Sequence, residues 1–215
     1  MEQEQQKREF MWNFKFSGLV LLMIWFVAFL TTFFPELKQE LGVIPRSLNG
    51  AYGIITMWLV HKDQAHLLSN SSPVFLLCLF TMLFYPKIAY KVLASTLVLA
   101  GAFLWCFGRG YAVHIGASGW IYALAAFLFF SGIFRRDKRS IGAALLVAFL
   151  YGGMVWGIFP VYKDVSWDGH LFGAIAGGMV ALYYRDHYRE PLELEEDDLD
   201  EEGPEYWKID YESDS

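Results

Sequence analysis

Long apolar runs constrain the fold of this 215-residue chain more than any other feature. An α-helix rises about 1.5 Å per residue, so about 20 apolar residues cross the roughly 30 Å hydrocarbon core of a bilayer. The composition agrees, because 55% of the residues are hydrophobic, more than a typical soluble domain holds. Runs suited to membrane spans lie near residues 17–34, 65–84, 90–107, 117–134, 141–160 and 169–184. The sequence therefore predicts an all-α fold, a polytopic membrane bundle of six transmembrane helices.

Composition divides the chain into three parts. Residues 1–16 form a polar N-terminal segment, residues 17–184 form the membrane domain, and residues 185–215 form an acidic tail. From Glu190 onward the tail holds 13 of the 23 acidic residues, and dense like charge without apolar periodicity is typical of disorder. The tail also contains the aromatic cluster Tyr206, Trp207, Ile209 and Tyr211. This cluster is either a docking segment for a cytoplasmic partner or the bundle edge, or a bias of composition; nothing indicates nucleic acid binding.

The distribution of Lys and Arg predicts the orientation of the bundle. If the N-terminus is inside, eleven of these residues fall at the cytoplasmic ends of the spans and five on the opposite side. Cytoplasmic loops of membrane proteins carry such an excess of positive charge. The strongest marker is the run from Arg135 to Arg139, which contains four basic residues. We therefore expect both termini in the cytoplasm, and the short loops favour a bacterial inner membrane.

This orientation brings the polar residues of the spans to one depth. The second, fourth and sixth spans all enter from the outer face. His66 and Asn70 lie at the start of the second span, Ser118 at the start of the fourth, and His170 at the start of the sixth. A charged side chain at membrane depth costs about 2.5–3.5 kcal/mol on insertion scales, so ionisable residues there indicate function. We predict that these four residues form one site near the outer face.

Ser118 is the candidate nucleophile. It lies in the string Gly116-Ala117-Ser118-Gly119 at the start of an apolar run. The first turn of a helix has backbone N–H groups without intrahelical partners and a partial positive charge, which suit an oxyanion. The alternative interpretation of this string is a helix start whose small residues serve packing.

His170 is the candidate general base. Its spacing from Gly173 and Gly177 places all three on one helix face, and small residues there let a neighbouring backbone approach closely. If the helix of Ser118 is that neighbour, the imidazole reaches the serine hydroxyl. The alternative is a packing motif with an incidental histidine. Asp168, two residues earlier, is expected to be a solvated or capping residue.

Three further side chains complete the predicted site. Tyr122 lies one turn after Ser118, on the same face, where its ring can stack on His170 and orient it. His66 and Asn70 are four residues apart and can donate hydrogen bonds to a tetrahedral oxyanion. Bridging between helices is the competing role for this pair. His61 is expected to form a hydrogen bond in a loop, whereas the role of His114 stays open.

These residues together resemble the rhomboid family of intramembrane serine proteases. The resemblance is carried by Gly116-Ala117-Ser118-Gly119 as nucleophile motif, His170-x-x-Gly173-x-x-x-Gly177 as base motif, His66-x-x-x-Asn70 as oxyanion pair, and Tyr122 as the stacking ring. It covers residues 45 to 184, and the order of the motifs on alternate spans is more specific than any one motif. One departure lies in the first loop, residues 35 to 64, which lacks the Trp-Arg pair common in relatives and contains only Pro45-Arg46 and Trp58.

The resemblance implies a compact rhomboid-like bundle of six spans with a Ser-His dyad and no aspartate. Gly116, Gly119, Gly173 and Gly177 are expected to serve helix packing. The implied activity is endopeptidase cleavage of single-span membrane proteins within the lipid bilayer, without a metal or an organic cofactor.

Two rival functions remain at this stage. His66, His114 and His170 near one membrane face can be imagined as zinc ligands, although no carboxylate base accompanies them. The second rival is a catalytically inactive rhomboid-like protein that binds or escorts membrane helices.

Overall fold

The computed structural model describes residues 1–110, 112–161 and 166–187, and this part of the chain is helical. Its α-helices are α1 (Glu2–Phe33), α2 (Leu37–Glu40), α3 (Gly53–Thr56), α4 (Gln64–Phe84), α5 (Ala89–Phe107), α6 (Ser118–Arg135), α7 (Lys138–Tyr151) and α8 (Trp167–Tyr183). Short 3₁₀ turns cover Leu48–Gly50, Met57–Leu59 and Gly152–Ile158. No β-strand occurs within these ranges, so the predicted all-α class is confirmed. The acidic tail lies outside the described residues apart from residues 185–187.

Five helical segments are long and apolar enough to cross a membrane. They are Gln3–Phe33, Gln64–Phe84, Ala89–Phe107, Ser118–Arg135 and Lys138–Ile158. The sixth predicted run corresponds to α8, which has 17 residues and a length of about 25 Å. It packs between α5 and α6 inside the bundle. The bundle therefore contains one helix for each of the six predicted runs, and α8 packs on two of them while its Ile175, Met179 and Leu182 side chains stay exposed.

Two predicted boundaries differ from the structure. The first helix begins at Glu2 rather than near residue 17, because the polar residues before the span continue the helix. The fifth run changes from α-helix to a 3₁₀ turn at Gly152. Two successive glycines, Gly152 and Gly153, weaken the α-helix at that point, since glycine costs about 1 kcal/mol relative to alanine in a helix.

Close approach of α6 and α8 determines where the polar residues lie. A Cβ atom on Gly173 would collide with the carbonyl of Gly119, and one on Gly177 would collide with the carbonyl of Ala123. Only hydrogen in place of a side chain allows the two backbones to approach this closely. The N-terminal ends of α6 and α8, which carry Ser118 and His170, are thereby brought side by side.

The loop between α1 and α4 is fastened to the end of α5. The Nη1 atom of Arg46 donates to the carbonyl of Gly108 at 2.8 Å, and Trp105 Nε1 donates to the carbonyl of Ser47 at 2.9 Å. Val43 pairs with His114 through two backbone hydrogen bonds of 3.0 and 2.9 Å. This loop thus packs against the segment that leads into α6, without the Trp-Arg pair.

Asp137 fixes the turn between α6 and α7. Its side chain accepts hydrogen bonds from the backbone N–H of Ser140 at 2.9 Å and from Arg135 Nε at 3.1 Å. Partial burial opposes ionisation, but the hydrogen bonds from Ser140 and Arg135 hold the pKa of this carboxyl below its ordinary value of 3.8. Arg136 adopts a left-handed conformation, with φ of 58°, at the end of α6. The left-handed Arg136 and the capping residue Asp137 together reverse the direction of the chain between α6 and α7.

Candidate active site

Ser118 is the first residue of α6, and the backbone before it is shaped to expose it. Gly116 has a φ of 118°, a conformation that side chains other than hydrogen rarely adopt. A Cβ atom on Gly116 would lie 2.6 Å from Cε1 of His66. Gly116 therefore turns the chain and leaves room for the ring of His66, rather than packing one helix on another. Gly119 does face α8, because a Cβ atom there would lie 3.2 Å from the carbonyl oxygen of Gly169.

The hydroxyl of Ser118 meets the imidazole of His170. The Oγ atom lies 2.8 Å from Nε2, and His170 is 9% exposed. The other ring nitrogen, Nδ1, lies 3.0 Å from the carbonyl oxygen of Gly157. Because a carbonyl only accepts, Nδ1 carries the hydrogen, and Nε2 keeps a lone pair for the serine hydroxyl. This tautomer is the one that a general base toward Ser118 requires.

Tyr122 covers one face of the His170 ring. The two ring centroids are 4.2 Å apart and the planes differ by 10°. The hydroxyl of Tyr122 donates to the carbonyl of Met154 at 2.6 Å. Tyr122 is thus placed where the sequence expected it, and it also ties α6 to the 3₁₀ turn that supplies the Gly157 carbonyl.

The Gly157 carbonyl was missed by the sequence reasoning. A backbone acceptor leaves no mark in side-chain identity, so no motif names it. The only available signal was the group of glycines at residues 152, 153 and 157, which indicates irregular backbone near the end of the fifth run.

Asn70 lies in the second span as a buried amide with an unused donor. Its side chain is 6% exposed, and its Nδ2 atom has no hydrogen-bond partner among the described residues. Leaving a buried donor unpaired costs about 1–3 kcal/mol, which calls for an explanation. His66, one turn earlier on α4, lies against Gly116. His66 therefore reaches the turn before α6 from α4, and the amide of Asn70 one turn later on α4 is available to a ligand.

His61 lies in the same region and, as expected, in a loop where it forms a hydrogen bond. It is 3% exposed, its Nε2 atom accepts from the backbone N–H of Ala117 at 3.4 Å, and its ring lies edge-on to His66 with centroids 5.1 Å apart. Burial lowers the pKa of His61 to about 4, so the ring is neutral and accepts this hydrogen bond. Its contact with Ala117 supports the turn immediately before Ser118.

The expectation for Asp168 was wrong, because this residue is buried rather than solvated. It is 2% exposed and accepts hydrogen bonds from the backbone N–H of Arg109 at 3.0 Å, from Arg109 Nη2 at 3.1 Å and from Ser166 Oγ at 2.9 Å. A complete set of donors makes burial of the carboxylate tolerable. Sequence could not reveal this, since Arg109 lies 59 residues away.

The role of His114, which the sequence left open, also becomes clear. Its Nδ1 atom lies 2.8 Å from Ser166 Oγ and its Nε2 atom 3.1 Å from the carbonyl oxygen of Arg109. Both nitrogens are thus engaged within the fold. Among the described residues no group of three or more His, Cys, Asp or Glu side chains is placed to hold a metal ion. The zinc hypothesis with His66, His114 and His170 is therefore unsupported.

These features define the class of the protein, a polytopic helical membrane protein with a buried serine–histidine pair. A family model described as "Rhomboid domain" matches residues 48–187. The chain belongs to the rhomboid family and is an integral membrane protein.

Curated relatives carry no assigned activity. Uncharacterized proteins of Mycobacterium bovis and Mycobacterium tuberculosis are each 37% identical over 151 residues, which is 66% of this chain and 62% of the relative. An uncharacterized protein of Mycobacterium leprae is 36% identical over 141 residues, which is 61% of this chain and 55% of the relative. The chain thus spans less than two thirds of the length of these relatives.

Proposed function

We propose that this chain is an intramembrane serine endopeptidase that cleaves transmembrane segments of membrane proteins with a Ser118–His170 dyad. The observation that carries the proposal is the 2.8 Å contact between Ser118 Oγ and His170 Nε2, combined with the Gly157 carbonyl that selects the required tautomer. Membership of the rhomboid family supports the same activity.

His170 acts first as a base and then as an acid. It takes the hydroxyl proton while Ser118 Oγ attacks the scissile carbonyl, and an acyl-enzyme forms as the protonated imidazole gives its proton to the leaving amine. Water then attacks the acyl group while His170 accepts its proton, the bond between the acyl carbon and Ser118 Oγ breaks, and His170 returns the proton to Oγ as the new carboxyl terminus leaves. The Gly157 carbonyl accepts from Nδ1–H throughout and stabilises the imidazolium, in place of an aspartate. Tyr122 limits rotation of the ring by stacking.

The oxyanion is stabilised from two helices. The backbone N–H of Ser118 lies at the start of α6, where the helix leaves such groups without intrahelical partners. Asn70 supplies an amide donor that has no partner among the described residues, and His66 supplies a second side-chain donor from α4. Loss of one such donor typically slows catalysis by about 100-fold to 1000-fold. An arriving oxyanion thus explains why an unpaired amide is kept buried.

The substrate is a single-span membrane protein whose helix unwinds locally at small or helix-breaking residues. Unwinding exposes peptide groups that only protein or water can pair, so it takes place at the site and not in lipid. Polar side chains at the start of α4, from Ser69 to Ser72, provide the wetted wall. We place the protein in a bacterial inner membrane with both termini in the cytoplasm, so cleavage occurs toward the outer face. The acidic tail then lies in the cytoplasm, where a partner is able to reach it.

A catalytically inactive rhomboid-like protein that binds membrane helices is the alternative function. The intact contact between Ser118 and His170 argues against it, because an escort protein needs neither the hydroxyl nor the tautomer. The two functions differ in one observable, the release of peptide fragments.

Fragment release from bacterial membranes tests the proposal. Membranes holding wild-type protein are expected to release peptides that are absent from membranes with Ser118→Ala or His170→Ala, as measured by mass spectrometry. Ser95→Ala is the matched control, because within the described part of the chain Ser95 bonds only to carbonyl groups of its own helix, those of Lys91 and Val92. Equal release by wild type and Ser118→Ala would exclude the proposed activity.

A further inference from the structure

Four residues outside the dyad form a network that we call the polar clamp: Arg109, His114, Ser166 and Asp168. Both carboxylate oxygens of Asp168 are used, since Oδ2 accepts from the backbone N–H and Nε of Arg109 at 3.0 and 3.3 Å, and Oδ1 accepts from Arg109 Nη2 at 3.1 Å and Ser166 Oγ at 2.9 Å. His114 bonds to Ser166 and to the Arg109 carbonyl. The side chains of His114 and Asp168 are 4% and 3% exposed. The acceptor carboxylate is therefore shielded from solvent although the Arg109 side chain is 50% exposed, and hydrogen bonds to a buried charge are strong.

The polar clamp joins the two chain segments that lead to Ser118 and to His170. Arg109 and His114 belong to the segment between α5 and α6, which ends at Ser118. Ser166 and Asp168 stand immediately before His170, at the start of α8. Each half of the clamp thus lies within a few residues of one member of the dyad.

His114 bonds at both ring nitrogens. Its Nε2 atom lies 3.1 Å from the carbonyl oxygen of Arg109, which only accepts, so Nε2 carries a hydrogen. Its Nδ1 atom lies 2.8 Å from Ser166 Oγ, and Nε2 also lies 3.9 Å from Asp168 Oδ2. The ring therefore joins the backbone of Arg109 to Ser166 beside the buried carboxylate.

We propose that the polar clamp positions Ser118 and His170 relative to each other, which makes Asp168 and Arg109 positioning residues of the reaction. The inference rests on the proposed protease function. The α6–α8 contact at Gly173 and Gly177 fixes the distance between the two helices along their length. It does not hold the chain segments that precede α6 and α8. Displacement of a catalytic group by about 1 Å lowers the rate on the order of 100-fold. Contacts that hold the N-terminal ends of α6 and α8 in place therefore have a large effect on the rate.

Asp168→Asn is the first test of the positioning role. The amide removes the charge and supplies an unwanted donor toward Arg109, so kcat is expected to fall roughly tenfold or more while KM changes by less than about twofold. Asp186→Asn is the matched control, because Asp186 follows the other end of α8 in an exposed pair with Arg185. Its kcat is expected to equal that of wild type. Unchanged kcat in Asp168→Asn would overturn the inference.

Two further variants keep the inference testable if Asp168→Asn fails to fold. Ser166→Ala removes the hydrogen bonds of Ser166 Oγ to Asp168 and His114 but keeps the ion pair of Asp168 with Arg109, so it is expected to lower kcat by a smaller factor. In a double-mutant cycle, Arg109→Gln is expected to lower kcat in the wild-type background and to have a smaller effect in the Ser166→Ala or Asp168→Asn protein. Full additivity in a folded double variant would contradict a shared function.

A measurement without proteolysis separates the two proposals. Wild-type protein and Asp168→Asn are treated with a fluorophosphonate, whose reaction with Ser118 is expected to slow in Asp168→Asn. Absence of labelling in wild type would overturn the protease function, whereas equal labelling rates in wild type and Asp168→Asn would overturn only the positioning role.

Discussion

The Nδ1 atom of His170 lies 3.0 Å from the carbonyl oxygen of Gly157, so a backbone group occupies the place that a carboxylate takes in a Ser-His-Asp triad. A carbonyl accepts the same hydrogen bond and selects the same tautomer, without the cost of burying a negative charge in a membrane protein. The acceptor belongs to the 3₁₀ turn Gly152–Ile158, which Tyr122 ties to α6. The conformation of this turn therefore determines the tautomer and the orientation of the His170 ring.

Gly157→Ala is expected to lower proteolysis about tenfold or more. The added Cβ atom would overlap with the hydroxyl of Tyr122 and lie 3.2 Å from Nδ1 of His170, so the turn must shift and the carbonyl with it. Gly153→Ala is the matched control, since a Cβ atom there has open space around it. Initial rates of substrate cleavage compare the two. Equal rates in both variants would show that the position of the turn does not matter.

Substitutions of Tyr122 separate its two contacts. Tyr122→Phe keeps the ring at 4.2 Å from His170 but loses the hydrogen bond to Met154, whereas Tyr122→Ala loses both. Stacking is worth about 0.5–1.5 kcal/mol beyond burial, so activity is expected to fall from wild type to Tyr122→Phe and further to Tyr122→Ala. Cleavage rates at saturating substrate measure the order. Equal activity of the two variants would remove the stacking role.

Gly177→Ala is expected to destabilise the bundle by about 1–3 kcal/mol, which is typical of overpacking. The new methyl group would collide with the backbone of Ala123 on α6, which has no flexible end to move aside. At the next position, Gly178→Ala would only touch the ring of Phe130 at 3.5 Å, an ordinary contact. Thermal unfolding in detergent is expected to place Gly177→Ala clearly below Gly178→Ala. The reverse order would contradict the α6–α8 interface described above.

The hydrogen bonds of the Asp137 carboxylate lead us to expect that the protein loses stability in acid. The folded pKa of this carboxyl lies below the ordinary 3.8, so its contribution is fully present above that value and disappears as the pH falls through the lowered pKa. Asp137→Ala is expected to cost about 1 kcal/mol at neutral pH, as for other helix caps. At a pH below the lowered pKa, the difference between wild type and variant should vanish. A difference that stays constant across this range would mean that the carboxylate is not the cap.

The sequence predicted the fold well because its signals are periodic and local. Six apolar runs correspond to α1, α4, α5, α6, α7 with its 3₁₀ turn, and α8. The small-residue spacing of Gly173 and Gly177 correctly indicated close approach to a neighbouring helix, since only glycine admits a backbone there. Orientation in the membrane rests on charge counting and stays a prediction.

The sequence identified the side chains of the site. It did not reveal the backbone acceptor of His170 or the ion pair between residues that are distant in sequence. Tyr122 was named because helical spacing relates it to Ser118, and His170 because the topology brings the starts of the two spans together; the structure places the three in contact. The Gly157 carbonyl has no signature in residue identity. Asp168 was expected to be a solvated or capping residue, because its partner Arg109 is distant along the chain and only folding brings the two together.

Labelling by a fluorophosphonate tests the central claim most directly, because it reports an activated serine without requiring a known substrate. Purified wild-type protein is expected to form one adduct, located at Ser118 by mass spectrometry. The adduct should be absent after heating, in Ser118→Ala and in His170→Ala, and unchanged in Ser95→Ala. Adduct formation at Ser118 that persists in His170→Ala, or a native wild-type protein that forms none, would contradict the Ser118–His170 dyad.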